Sequence, residues 1–160
     1  MSAVARAAGV ATGTAYTYYA SKHELVLATY VETKALLGAA AIGAIDEDAP
    51  PAERFRALWL ATYRHFAANP DHARFLLQVD HSPYRAVGHD ALPSDDPLMS
   101  QAVALDLVAQ LLPLPLDVLY ELGVAPAVRL AAGGVALTKH QLTTTADACW
   151  RAISRPRAAH

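Results

Sequence analysis

Between Pro51 and the Asn69-Pro70 break, Phe55, Leu58, Trp59, Thr62, Tyr63 and Phe66 recur at three- and four-residue spacing. Only an α-helix gathers such positions onto one face, and a face this aromatic must be buried against other elements. This segment therefore commits the chain to packed helices. The rest of the sequence conforms. No stretch alternates apolar and polar residues over a useful length. The 35 alanines stand against 8 glycines, a balance that favours helix over sheet. The expected fold class is all-α.

Punctuation divides the helices. Residues 2–8 and 12–19 read as two short helices on either side of Gly9-Val10. Ser21 stands three residues before Glu24, the capping-box spacing, ahead of a long helix through Leu25, Ala28, Val31, Ala35 and Ile42. Further helices are expected over 51–68, 71–79, 98–112, 116–122, 127–140 and 146–153, the last capped by Thr144 or Thr145. Residues 80–97 hold Pro83, Gly88, Pro93 and Pro97 and read as a loop or broken turn. Gly133-Gly134 falls inside the expected 127–140 helix, where small residues would permit close helix approach across a dimer.

Composition excludes several classes. The chain of 160 residues is 54% hydrophobic and 18% charged, enough to bury a core and too apolar for wholesale disorder. Its net charge of −2 excludes a uniformly basic nucleic-acid coat, so any DNA contact must be local. Residues 1–34 carry three basic and two acidic side chains, against ten and thirteen in 35–160, which places the slight basic bias at the N-terminal end. The one cysteine, Cys149, can form no internal disulfide. Apolar runs stop short of the ~18 residues of a membrane span, and the start lacks signal-peptide character. A soluble, cytoplasmic protein without membrane association is expected.

The most informative stretch is SAVARAAGVATGTAYTYYASKHEL, residues 2–25. Two short helices around Gly9, which supplies the positive φ of a tight turn, form helix-turn-helix grammar. The second helix carries the hydroxyls of Thr12, Thr14, Tyr16, Thr17 and Tyr18, groups suited to phosphates and base edges. Gly13 allows close backbone approach, and the following helix offers free amides and a cation at Ser21-Lys22.

These residues resemble the tetracycline-repressor (TetR) family of transcriptional regulators. The resemblance is carried by Val4-Ala5-Arg6-Ala7-Ala8-Gly9-Val10, Gly13-Thr14, Tyr16, Tyr18-Tyr19 and Ser21-Lys22-x-Glu24-Leu25. It implies DNA contacts from Thr12 and Gly13 at the start of the recognition helix and from the Thr14 hydroxyl to backbone phosphate. Tyr16 and Tyr18 would reach phosphate or base edges, and Lys22 would anchor a phosphate from the next helix. It further implies double-stranded DNA as partner, a homodimer through the two C-terminal helices, and a near-palindromic operator, with repression as the usual outcome. Two departures stand out. Ala15 replaces a bulky apolar residue, and the chain begins inside what corresponds to the family's second helix, so the helix-turn-helix region as written is incomplete.

The expected organisation is a helix-turn-helix region with its linking helix over 1–44, then a helical ligand-binding and dimerisation domain over 45–160. Trp59, Tyr63, Phe66 and Phe75 are candidate lining for an unknown, apolar effector; the plainer reading is bundle core. His65, His72, His81 and His89 lie seven, nine and eight residues apart across an expected loop, without metal-site spacing, so no metal is expected. There is no nucleophile elbow and no phosphate loop, Cys149 sits in an apolar helix, and neither enzymatic activity nor a cofactor is expected. The alternative function is a dimeric small-molecule-binding module that no longer engages DNA.

Overall fold

A computed structural model of the chain describes residues 20–90 and 107–156, and these are helical with short connections. The helices are α1 (Lys22–Ile42), α2 (Pro51–Ala68), α3 (Pro70–Asp80), α4 (Tyr84–Asp90), α5 (Leu116–Gly123), α6 (Ala125–Ala132) and α7 (Lys139–Ile153), with a 3₁₀ turn at Val108–Gln110. No strand occurs among the described residues beyond an isolated antiparallel bridge between Leu111 and Ser154. None of their helices is long and apolar enough to cross a membrane.

The chain's punctuation explains most boundaries. Ser21 Oγ accepts from Glu24 N–H at 3.1 Å, and Glu24 Oε2 accepts in return from Ala20 N–H at 2.9 Å. Pro51 and Pro70 open α2 and α3, where a missing N–H leaves nothing unpaired. Between them the Asn69 side chain donates to the His65 carbonyl at 2.8 Å and closes the last turn of α2. The break at Val124 separates α5 from α6 because Pro126 cannot donate into a continuous ladder.

Four expectations are corrected. Residues 84–90, within the supposed loop, form α4, whose Gly88 packs so tightly on the Tyr30 ring that a Cβ would lie 3.3 Å from it. The expected 127–140 helix stops at Ala132. Gly133 caps it, and Gly134 adopts φ 65°, left-handed backbone that glycine occupies without penalty. Gly133-Gly134 thus breaks the chain rather than lining a helix contact. The last helix starts at Lys139, not near Ala146. Thr138 and Gln141 cap it reciprocally, with Gln141 Oε1 accepting from Thr138 N–H at 2.9 Å. The helix expected over 98–112 does not reach its proposed end, because Leu111 and Leu112 are extended against the C-terminal segment, with Leu112 N–H donating to Ile153 O at 2.8 Å. Residues 98–106 of that expectation lie outside the described residues.

α2 is the central element, packed by α1, α3, α6 and α7. Its first half enters a cluster with α6 and α7: Phe55, Trp59, Ala127, Ala146, Cys149 and Ile153. Its second half enters another, in which Phe66 meets Val26, Tyr30 and Leu37 of α1, Phe75, Leu76 and Val79 of α3, and Val128 and Ala131 of α6. Burying such residues supplies on the order of 1.5–3 kcal/mol each.

Candidate functional site

Of the residues expected to touch DNA, Thr12, Gly13, Thr14, Tyr16 and Tyr18 lie outside the described residues. Lys22 is described. It occupies the first position of α1, exposed, within the exposed segment 20–24. The Ser21–Glu24 cap fixes this end, and the first-turn amides carry the positive end of the helix dipole toward solvent. Next to Lys22, the His23 ring packs on Tyr84 of α4, with centroids 5.6 Å apart. The end of α1 proposed to meet phosphate is thereby joined to α4, and α4 to the core through Gly88 and Tyr30.

The expected effector residues occupy both halves of α2 and one position on α3. Trp59 is fully buried in the α6–α7 cluster and stacks parallel to Tyr63 at 6.1 Å. Phe66 and Phe75 belong to the α1–α3–α6 cluster. Tyr63 packs against both, and its hydroxyl donates to Val135 O at 2.9 Å, pinning the segment after Gly134 to α2. The four residues therefore span two clusters bridged by Tyr63.

Sequence reasoning passed over Thr62 and treated His65 and His72 as too far apart. Thr62 is fully buried. The Asn69-Pro70 turn brings His65 and His72 together, with ring centroids 6.3 Å apart. Oγ1 of Thr62, Nε2 of His65 and Nδ1 of His72 are sealed from solvent without a hydrogen-bond partner. Burial, and then His72, push the His65 pKa below the ordinary histidine range. The signal that could have found this pair is the turn itself: a proline restart one residue after an asparagine folds position i+7 back toward i. His81 is exposed beyond the end of α3, and the His89 side chain is not described.

Elsewhere, burial pushes the Cys149 thiol up. Burial, with Asp80 next, raises the Tyr120 hydroxyl strongly. Among the described residues no cluster of three or more His, Cys, Asp or Glu is arranged to hold a metal ion.

Comparison with known proteins places this architecture. Residues 50–154 match the family model described as tetracyclin repressor-like, C-terminal domain, and residues 1–29 match that of bacterial regulatory proteins, tetR family. The chain belongs to the TetR family. Among solved structures, a TetR-family transcriptional regulator from Haemophilus influenzae RD is 26% identical, with TM-score 0.68 over 94% of this chain and 82% of that one. A TetR family transcription regulator from Marinobacter aquaeolei VT8 shares the fold at 21% identity, with TM-score 0.65 over 95% of this chain and 83% of that one. No curated protein matches. The TetR assignment accords with the all-helical architecture and with the residues of the 2–25 stretch that suggested it.

Proposed function

We propose that this TetR-family chain is a ligand-responsive, DNA-binding transcriptional regulator, a repressor acting in the cytoplasm, without enzymatic activity. The observation that carries the reading is the match of residues 1–29 to bacterial regulatory proteins, because that stretch holds the hydroxyl-bearing segment from Thr12 to Tyr18 and the exposed Lys22. In this reading residues 1–44 contact DNA through Thr12, Gly13, Thr14, Tyr16, Tyr18 and Lys22, and residues 45–160 bind effector and partner. Two copies pair through the C-terminal helices and engage successive turns of a near-palindromic operator. Large apolar side chains left exposed on and before α5, Leu114, Leu116, Val118 and Leu122, would extend the paired surface beyond those two helices.

The effector is a small molecule with a largely apolar body, bound beside Tyr63, Phe66 and Phe75, with Trp59 backing Tyr63. The His23–Tyr84 and Tyr30–Gly88 contacts give a route from that core to the DNA-facing end of α1. A coupling of about 1–3 kcal/mol would suffice to release an operator. The test is a gel shift of the protein, as its gene encodes it, against DNA from its own upstream region. A retarded band at low salt that weakens steeply as salt rises is expected. No band at low salt overturns the reading.

A further inference from the structure

Thr62 Oγ1 and His65 Nε2 of α2 and His72 Nδ1 of α3 are orphaned polar atoms on either side of the Asn69-Pro70 turn; Arg54 Nε and Trp59 Nε1, nearer the start of α2, are unpartnered as well. Thr62 is fully buried and precedes His65 by one helical turn. A sealed polar group without a partner costs on the order of 1–3 kcal/mol, so each such atom calls for a partner.

The His65 and His72 ring centroids stand 6.3 Å apart. Among the described residues no group of three or more His, Cys, Asp or Glu is arranged to hold a metal ion, so a metal is not the partner these rings are built for. Charge narrows the choice. Besides burial, the influence on His65 is His72 and not a carboxylate, and Asp71, next to His72 in sequence, pairs with Arg74 at 3.3 Å. Two imidazoles without a counter-ion favour an oxyanion between them. On the apolar side Phe66 meets the His65 ring edge-on at 5.1 Å and continues into the cluster with Phe75.

We infer that His65, His72 and Thr62 form the anion-accepting end of the effector site, and that the effector is a carboxylic acid whose apolar body lies toward Phe66 and Phe75. This rests on the reading of the chain as an effector-binding regulator. The two imidazoles and the hydroxyl donate to the carboxylate oxygens, satisfying all three orphaned atoms at once.

The test titrates the full chain with sodium octanoate and, separately, with 1-octanol, read by calorimetry and by thermal unfolding. Octanoate should bind about tenfold more tightly than octanol. The double variant His65→Gln/His72→Gln should lose that preference while keeping octanol affinity, with circular dichroism confirming its fold. Thr62→Val should weaken octanoate several-fold. Nitrogen-15 shifts of the two rings should move toward imidazolium when octanoate binds. Equal affinity for the two probes, or a preference that survives both glutamines, overturns the inference. So does binding of neither probe, which would leave the orphaned atoms to a trapped water. The underlying reading is judged separately: release of operator DNA by octanol but not octanoate would sink the carboxylate alone, whereas failure to bind operator DNA would sink the regulator.

Discussion

The first half of α2 meets α6 and α7 through Phe55 and Trp59, and Arg56 pairs with Asp147 at 2.6 Å at its half-exposed margin. The second half meets α1 and α3 through Phe66, yet it carries the unpartnered Thr62 hydroxyl and His65 nitrogen, and α3 adds a third such atom at His72. One helix thus serves two purposes. Where it packs on the C-terminal helices the cluster is built of Phe55, Trp59, Ala127, Ala146, Cys149 and Ile153, although Arg54 Nε and Trp59 Nε1 there also lack a partner. Where it packs on α1, whose far end points toward the proposed DNA site, polar groups are left poised. On the proposed reading, stability and responsiveness would be separated along a single element rather than between domains.

The sharpest way to break this comparison is to truncate in both halves. Trp59→Ala should cost about 3–5 kcal/mol in urea unfolding, because a fully buried ring leaves a hole that α6 and α7 cannot close. Thr62→Val, equally buried, should instead leave stability unchanged or raise it by about 1 kcal/mol, since it removes an unpaired hydroxyl at constant shape. Equal losses at the two positions would erase the distinction.

A smaller effect comes from pH. The His65 pKa is lowered in the folded chain by burial, then by His72, so the unfolded chain binds that proton more readily. Its stabilising contribution is fully present above the ordinary histidine pKa and is lost as pH falls through that value toward the lowered one. Unfolding temperature should therefore drop between pH ~7 and ~5, and His65→Gln should flatten the slope. An unchanged slope in the variant would place the titration elsewhere. The smallest effect is expected at the margin: Arg56→Ala should cost no more than about 1 kcal/mol, because the pair is half-exposed and screened. Cys149, buried with a raised pKa, should react with a thiol reagent only on unfolding.

Much of this was legible before any coordinates. The periodicity from Phe55 to Phe66 between two prolines predicted α2 to within its ends, and Ser21 with Glu24 predicted the start of α1, because caps and helix faces are local chemistry. The 2–25 stretch suggested the family for the same reason: its residue types are constrained by what they would touch. What escaped was set by tertiary contact. α4 hides among residues that look like loop formers, since Gly88 is there to meet Tyr30. The Thr138–Gln141 cap is masked in the sequence by Thr144 and Thr145 and by the Ala-rich surroundings of Gly133-Gly134, although two glycines in succession are where a helix ends. The His65–His72 pair depends on the angle of the Asn69-Pro70 turn, and residue spacing alone does not give an angle.

The central claim, a regulator that grips phosphate from the exposed start of α1, is tested most directly by fluorescence anisotropy of labelled upstream DNA across a salt series. The account predicts that log affinity falls linearly with log salt, and that Lys22→Gln lowers the steepness by roughly one phosphate contact per chain while weakening all sequences alike. A salt slope identical in Lys22→Gln and the parent protein would contradict it.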